Sequence, residues 1–166
     1  LFCIEMYGEQ MRRGAYFVHE HPQTASSWKL APMRAMLEKE GVITTVLHMC
    51  MYGMQSRDQM GTGAVKKPTR MMTNSPWIAR MLQGRCDRSH RHVRLMQSRA
   101  KACGEYPDNL CIAICLGIQR QKMEDEATAK RICALMKWDE LMNLNTENDW
   151  FWDDAKGGWL DGRLVI

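Results

Sequence analysis

Three groups of side chains in this chain have the types and spacing to do chemistry. His19, Glu20 and His21, closed by Pro22, set a carboxylate between two imidazoles. Glu20 in that position can take up or give a proton, or hydrogen-bond the edge of a base. The plainer alternative is that both histidines simply hydrogen-bond at a strand end. The spacing is not that of a zinc-protease helix, which needs its two histidines four residues apart. Cys86, His90 and His92 offer three metal ligands in close succession. A fourth could come from Cys103, or from Cys111 and Cys115, which lie one helical turn apart. Zinc accepts such a set. The spacing differs from that of common fingers, so a polar turn is the competing reading. Lys66, Lys67 and Arg70 form a compact basic cluster after a glycine-containing loop and could meet phosphate. The Walker loop, the dinucleotide-binding glycine fingerprint and the serine-hydrolase elbow are all absent.

The elements that must position these groups follow from periodicity. Cys3, Tyr7, Gln10 and Met11 recur at helical spacing and Gly14 is a natural stop, which predicts a helix over 2–13. Ala15–Glu20 is aromatic and β-branched and reads as a buried strand that Pro22 ends. Pro32 opens a second helix with Met33, Met36 and Leu37 on one face, and Gly41 terminates it. Val42–Met49 is apolar on both faces, as an interior strand would be. Strand, helix and strand in this order suggest a parallel pair joined by a right-handed crossover. Gln55–Ala64 reads as a loop, and Arg70–Thr73 as a short further strand. Ser75 and Pro76 cap and open a helix carrying Trp77, Ile78, Met81 and Leu82. Pro107 and Asp108 begin a long helix with Leu110, Ala113, Ile114, Gly117 and Ile118 as its buried stripe. Residues 124–144 are helical and more polar, and 145–166 read as an acidic, aromatic linker. The expected organisation is therefore an α/β domain over 1–123, a helical extension and a linker.

Composition bounds the class. With 45% hydrophobic and 25% charged residues, the chain is that of an ordinary soluble domain with room for one core. It holds no apolar run of the roughly 18 residues that a spanning helix needs. Its 7 cysteines are an odd number and sit mostly in apolar stretches, which points to reduced thiols in an intracellular protein. The 15 methionines are core filler. The net charge of +4 is unevenly spread: basic residues dominate from Arg57 to Lys101, and acidic ones from Glu124 to Asp161. That asymmetry fits a phosphate-facing surface in the middle third, or a solvated face. The chain starts at Leu1 and stops at Ile166 inside an apolar run, so both ends look cut.

Several of these pieces occur together in one order. Glu20–Pro22 with Ser27 and Trp28, then Cys50–Gly53, Lys66–Arg70, Thr73–Ser75, Arg85–His92 and Glu105–Cys111 resemble a DNA cytosine-5 methyltransferase-like domain of copia-type retrotransposon polyproteins. Phe151–Val165 is similar to the segment leading into the reverse transcriptase of such elements. The resemblance implies a partial Rossmann-like fold, a parallel sheet with flanking helices, that binds S-adenosylmethionine in a complete parent. It implies that Glu20 holds a flipped cytosine through its Watson–Crick edge, with His21 replacing the usual asparagine, and that Lys66, Lys67 and Arg70 face DNA. Cys50 belongs to a later motif and is not the nucleophile. The family's cofactor motif and Pro-Cys loop lie N-terminal of the matching region, and neither occurs here. The chain alone is therefore expected to bind no S-adenosylmethionine and to methylate nothing. Its implied partners are DNA, the missing half of the domain and a downstream reverse transcriptase. Two other readings stand beside this one: a non-catalytic, zinc-stabilised nucleic-acid-binding module of the same polyprotein, and a degenerate remnant.

Overall fold

The computed structural model describes residues 2–95, 103–135, 150–153 and 158–161. Helix α1 (Phe2–Arg12) is followed by strand β1 (Val18–Pro22), a 3-10 turn at Ser26–Lys29 and helix α2 (Ala31–Leu37). Strand β2 (Ile43–His48) runs into a second 3-10 turn, Met49–Tyr52. Strands β3 (Gln55–Asp58), β4 (Gly61–Ala64) and β5 (Pro68–Thr73) precede helices α3 (Pro76–Met81) and α4 (Asp108–Leu135). Strands β6 (Trp150–Asp153) and β7 (Gly158–Asp161) pair as an antiparallel hairpin. The chain divides into two compact units, 1–122 and 123–166.

The first unit is built on a three-stranded sheet in the order β1-β5-β2. Both β1 and β2 run antiparallel to β5, with Glu20 opposite Met71 and Thr45 opposite the same residue. This corrects the expected parallel pair. The strand that follows β2 in sequence order by some twenty residues inserts between β1 and β2, so the two never bond each other. The fold is mixed α/β with small antiparallel sheets, and no parallel Rossmann-like sheet is present among the described residues.

Burial explains why β5 takes the centre. Adjacent residues of a strand point to opposite faces, and here both neighbours are apolar: Met71 is 1% and Met72 0% exposed. Met71 enters a cluster with Leu47, Ile78, Leu82 and Leu110, brought by β2, α3 and α4. Met72 enters a second cluster with Phe17, Trp28, Met33 and Met36, covered by α1 and α2. Each buried methionine contributes about 1.5–3 kcal/mol. Strand β2, expected in the interior, is an edge strand whose apolar residues are only half-buried apart from Leu47.

Residues 55–64, expected as a loop, form the β3–β4 hairpin. Gly61 takes φ +100°, a left-handed conformation that closes its short turn. No apolar alternation marks these strands, because the hairpin buries little. On α4 the buried stripe runs through Leu110, Gly117 and Gln121, whereas Ile118 is 45% exposed. The expected helix over 124–144 is described to Leu135, and residues 136–144 lie outside the described ones. The stretch read as a linker holds the β6–β7 hairpin.

Candidate metal centre and a polar cavity

Cys50, Cys86, His90 and His92 present four ligand atoms that all lie within 4.8 Å of one another, each residue being half-buried. The loops that bring them are held by the sheet. Strand β2 ends at His48, and Met49, fully buried, plugs the core so that Cys50 turns outward. Gly53, at φ +89°, ends that turn. The His48 amide donates to Gly84 O at 2.8 Å, and His48 Nδ1 accepts from the Cys86 amide at 2.8 Å. Tyr52 Oη donates to Met81 O and accepts from the Gly84 amide, which lashes the same segment to the 3-10 turn. The strand end and the Cys86 loop are thus one clamped unit.

The histidine arm is anchored on the hairpin. His92 forms a bridge with Ala64, and the Val93 amide donates to Ala64 O at 2.8 Å. Between the two histidines, Arg91 reaches Asp58 at 2.8 Å and Gly61 O at 3.0 Å. A side chain at position 63 would stand 2.9 Å from Arg91 Nη2, so glycine there leaves room for the arginine. The loop the sequence concealed as irregular is therefore the scaffold of the site.

Local geometry suits thiolate ligation. Arg88 takes φ +70°, a left-handed conformation that costs a non-glycine residue about 1–2 kcal/mol. Such strain is found where the surroundings impose a shape on a site. It turns the Arg88 amide onto Cys86 Sγ at 3.3 Å, the donor a metal-bound sulfur takes. A tetrahedral zinc with bonds of about 2.3 Å to sulfur and about 2.0 Å to nitrogen sets its ligand atoms about 3.3–3.8 Å apart, a sulfur–nitrogen pair at about 3.5 Å. Cys86 Sγ lies 3.6 Å from His90 Nε2 and 3.4 Å from His92 Nε2. The donor set fits a tetrahedral, nitrogen- and sulfur-binding metal, and two thiolates with two neutral imidazoles would leave a Zn²⁺ site without net charge.

The surroundings favour the neutral forms of these groups. Burial first, then the adjacent Cys86 thiol, pushes the Cys50 thiol up to about 11. Burial and then the charges of His90, Lys66 and Arg88 hold the His92 imidazole below its ordinary value. His48 is lowered by burial and by Lys66, Arg85, His92 and Arg88. Lys66 and Arg88 therefore lie near both His48 and His92, and Arg85 near His48. Lys66 is half-buried, while Arg85 and Arg88 are exposed.

No protein-family model, curated protein or solved structure matches this chain.

Three of the four ligand positions, Cys86, His90 and His92, carry a visible sequence signal. The fourth does not come from where it was expected. Cys103 is buried elsewhere, its thiol facing Gln55 O at 3.9 Å, and Cys111 and Cys115 are exposed on α4. Cys50 stands 36 residues before Cys86, and only the clamp between β2 and the Cys86 loop brings them together. All seven cysteines are free thiols.

The basic cluster disperses on folding. Lys66 stays beside the metal cage, its carbonyl accepting from the Met49 amide at 2.8 Å. Lys67 Nζ donates to Cys103 O at 3.1 Å. Arg70 lies over the Trp28 ring, 4.8 Å from its centroid. These contacts give the three cations separate surroundings.

Glu20 lies on the other edge strand, level with Thr45 of β2 across β5, at a cavity of about 360 Å³ that it lines with Tyr7, His19 and Tyr106. Tyr106 Oη donates to Glu20 Oε2 at 2.6 Å, and the Tyr106 phenol is pushed up to about 12 by burial and then by that carboxylate. Tyr7 Oη and His19 Nδ1 are 2.9 Å apart. Glu20 Oε1 and His19 Nε2 are buried without a hydrogen-bond partner.

His19 makes stability depend on pH. Burial, then the charge of His21, holds its imidazole below the ordinary 6.5. The unfolded chain then binds the proton more tightly, so the contribution is complete above about pH 6.5 and is lost as pH falls through the lower folded value. The melting temperature of chelator-treated protein is expected to fall on acidification below pH 6.5, and His19→Gln to fall less steeply. Parallel curves for the two proteins would remove His19 from the account.

Proposed function

We propose that this chain is a non-catalytic, zinc-stabilised nucleic-acid-binding module of a retroelement polyprotein. The observation that carries the reading is the convergence of Cys50, Cys86, His90 and His92, with Lys66, Arg85 and Arg88 near the adjoining His48. A closed set of four protein ligands leaves no open position for substrate, the mark of a structural rather than a catalytic zinc. The zinc would lock the Cys86 loop to the sheet and so hold Arg85 and Arg88 beside Lys66. Phosphate oxygens then meet a preformed positive surface, which supplies sequence-independent affinity. The retroelement origin rests on the order of motifs from Glu20 to Cys111, and the expected partners are DNA and the neighbouring segments of the polyprotein.

Methyl transfer is not proposed for this chain. The resembled domain's nucleophile and cofactor motifs lie outside these residues, and the antiparallel sheet lends its cofactor-binding fold no support.

The test is the salt dependence of DNA binding. The zinc-loaded protein should bind duplex DNA with log-log dependence on salt, and Lys66→Ala, Arg85→Ala and Arg88→Ala together should reduce the slope by about 2 to 3, one phosphate contact for each cation. Lys67→Ala, already engaged with Cys103 O, should change it little. An unchanged slope in the triple variant would make these three cations a solvated face.

A further inference from the structure

Cys50 and Cys86 supply both sulfurs of the cage, and their Sγ atoms lie within 4.8 Å of each other. Both residues are half-buried, so a small reagent can reach them. The fold holds the two thiols together without help from a metal. The His48 amide donates to Gly84 O, and His48 Nδ1 accepts from the Cys86 amide, both at 2.8 Å. Tyr52, two residues after Cys50, is tied to Met81 O and to the Gly84 amide. The two backbone segments that carry the thiols are thus fixed to each other from both sides of Cys50. The other cysteines are placed differently. Cys103 is buried, its thiol facing Gln55 O at 3.9 Å. Cys111 and Cys115 sit one turn apart on α4. There Cβ atoms stand about 5–6 Å apart, beyond the roughly 3.5–4.5 Å that a disulfide spans. Cys3 is exposed on α1, and Cys133 belongs to the second unit.

We propose that Cys50 and Cys86 form a thiol–disulfide exchange pair whose substrate is a low-molecular-weight disulfide, and whose oxidation releases the metal. One protein thiolate attacks a sulfur of the small disulfide, whose S–S bond breaks and expels one small thiolate. The second protein thiolate attacks the resulting mixed disulfide, forms the Cys50–Cys86 bond and expels the other small thiolate. The two cysteines lose two electrons, and the small disulfide gains them. Each departing thiolate takes up one proton, from the cysteines when they start as thiols and from solvent when they start metal-bound. A sulfur held in a disulfide is no longer a thiolate ligand, so His90 and His92 alone remain and the ion leaves. The covalent bond then ties the Cys86 loop to the end of β2 in place of the metal. Release of the ion rests on the reading of the cage as a zinc site, whereas the pairing of the two thiols rests on the clamp around them.

The experiment treats the full chain, zinc-loaded and metal-free in parallel, with glutathione disulfide. Free zinc is followed with a chromogenic chelator, and cysteine linkages by peptide mass mapping. The expected result is a Cys50–Cys86 linked peptide at least about tenfold more abundant than either cysteine carrying glutathione, because the second step is intramolecular. One zinc should leave per link formed, and dithiothreitol should reverse the link. The oxidised metal-free protein should melt at least about 5 °C above the reduced metal-free protein. In Cys50→Ser, Cys86 should stop at the glutathione mixed disulfide and the rise in melting temperature should vanish. Cys103→Ser should behave like the parent. The linkage map of the unmutated chain decides the matter even where a variant does not fold. A Cys50–Cys86 link in a chain that never retains zinc would support the pair and end the zinc reading. Zinc retained with both thiols reduced would overturn the proposal and leave the zinc reading standing. Cys50 and Cys86 halted as mixed disulfides, or linked indiscriminately to the exposed cysteines, would also overturn it.

Discussion

Cys50→Ser is expected to empty the metal site. Zinc content, measured by elemental analysis after competition with a chelator, should fall from about one ion per chain to near zero. Loss of groups that only orient metal ligands costs about 10–100-fold in affinity, and loss of a ligand itself should exceed the upper end of that range. Cys103→Ser should retain the metal, because that thiol faces Gln55 O and not the cage. The same pair of variants separates ligation from general thiol chemistry. Loading should release protons and tighten as pH rises, since the Cys50 thiol begins at about 11 and must ionise to bind. The melting temperature should drop on chelation in the parent protein and be indifferent to chelator in Cys50→Ser. Retention of zinc by Cys50→Ser would place the fourth ligand elsewhere.

Gly117→Ala is expected to destabilise the first unit although alanine is the better helix former. A Cβ at position 117 would stand 2.7 Å from Ile78 Cα and 3.2 Å from its amide nitrogen, so α3 and α4 touch backbone to side there. The helices cannot simply separate. Ser75, which caps α3 by accepting from the Ile78 amide, also donates to Gln121 Oε1 at 2.8 Å, and the Trp77 amide donates to the same oxygen at 3.3 Å. These buried bonds hold α3 and α4 together one turn from the contact. Overpacking of this kind costs about 1–3 kcal/mol, against about 1 kcal/mol gained from helix propensity. The difference, up to about 2 kcal/mol, lowers the melting temperature by up to about 8 °C in a domain of this size. An unchanged or raised value would show that the two helices have slack at Gly117.

How much was legible in the chain varies with the range of the interaction. Helices α1, α2 and α3 were readable because their signals are local: apolar spacing, Pro32 and Pro76 at helix starts, the Ser75 cap. The start of α4 at Asp108 was readable for the same reason. The β3–β4 hairpin was not, because Gln55–Asp58 and Gly61–Ala64 bury little and so carry no apolar alternation. Ile118 misled because it continues an apolar run, yet the close approach at Gly117 rotates the buried face toward Gln121.

Strand pairing and the fourth ligand lay beyond any local signal. Apolar runs at Val42–Met49 and Arg70–Thr73 mark strands, but which strand lies between the others, and in which direction it runs, is not written in either run. Met71 and Met72 each fill a separate core, so β5 takes the centre, and the chain path through the β3–β4 hairpin returns it antiparallel to both neighbours. For the candidate site, Cys86, His90 and His92 announce themselves by proximity along the chain, whereas Cys50 joins them through the His48–Gly84 and His48–Cys86 hydrogen bonds. The apparent cluster of Lys66, Lys67 and Arg70 shows the converse: side chains adjacent in sequence are sent to different partners by the backbone that carries them. Residue types and short spacings are written along the chain, but which distant groups meet is decided by the burial of apolar surface and the closing of backbone hydrogen bonds across the fold.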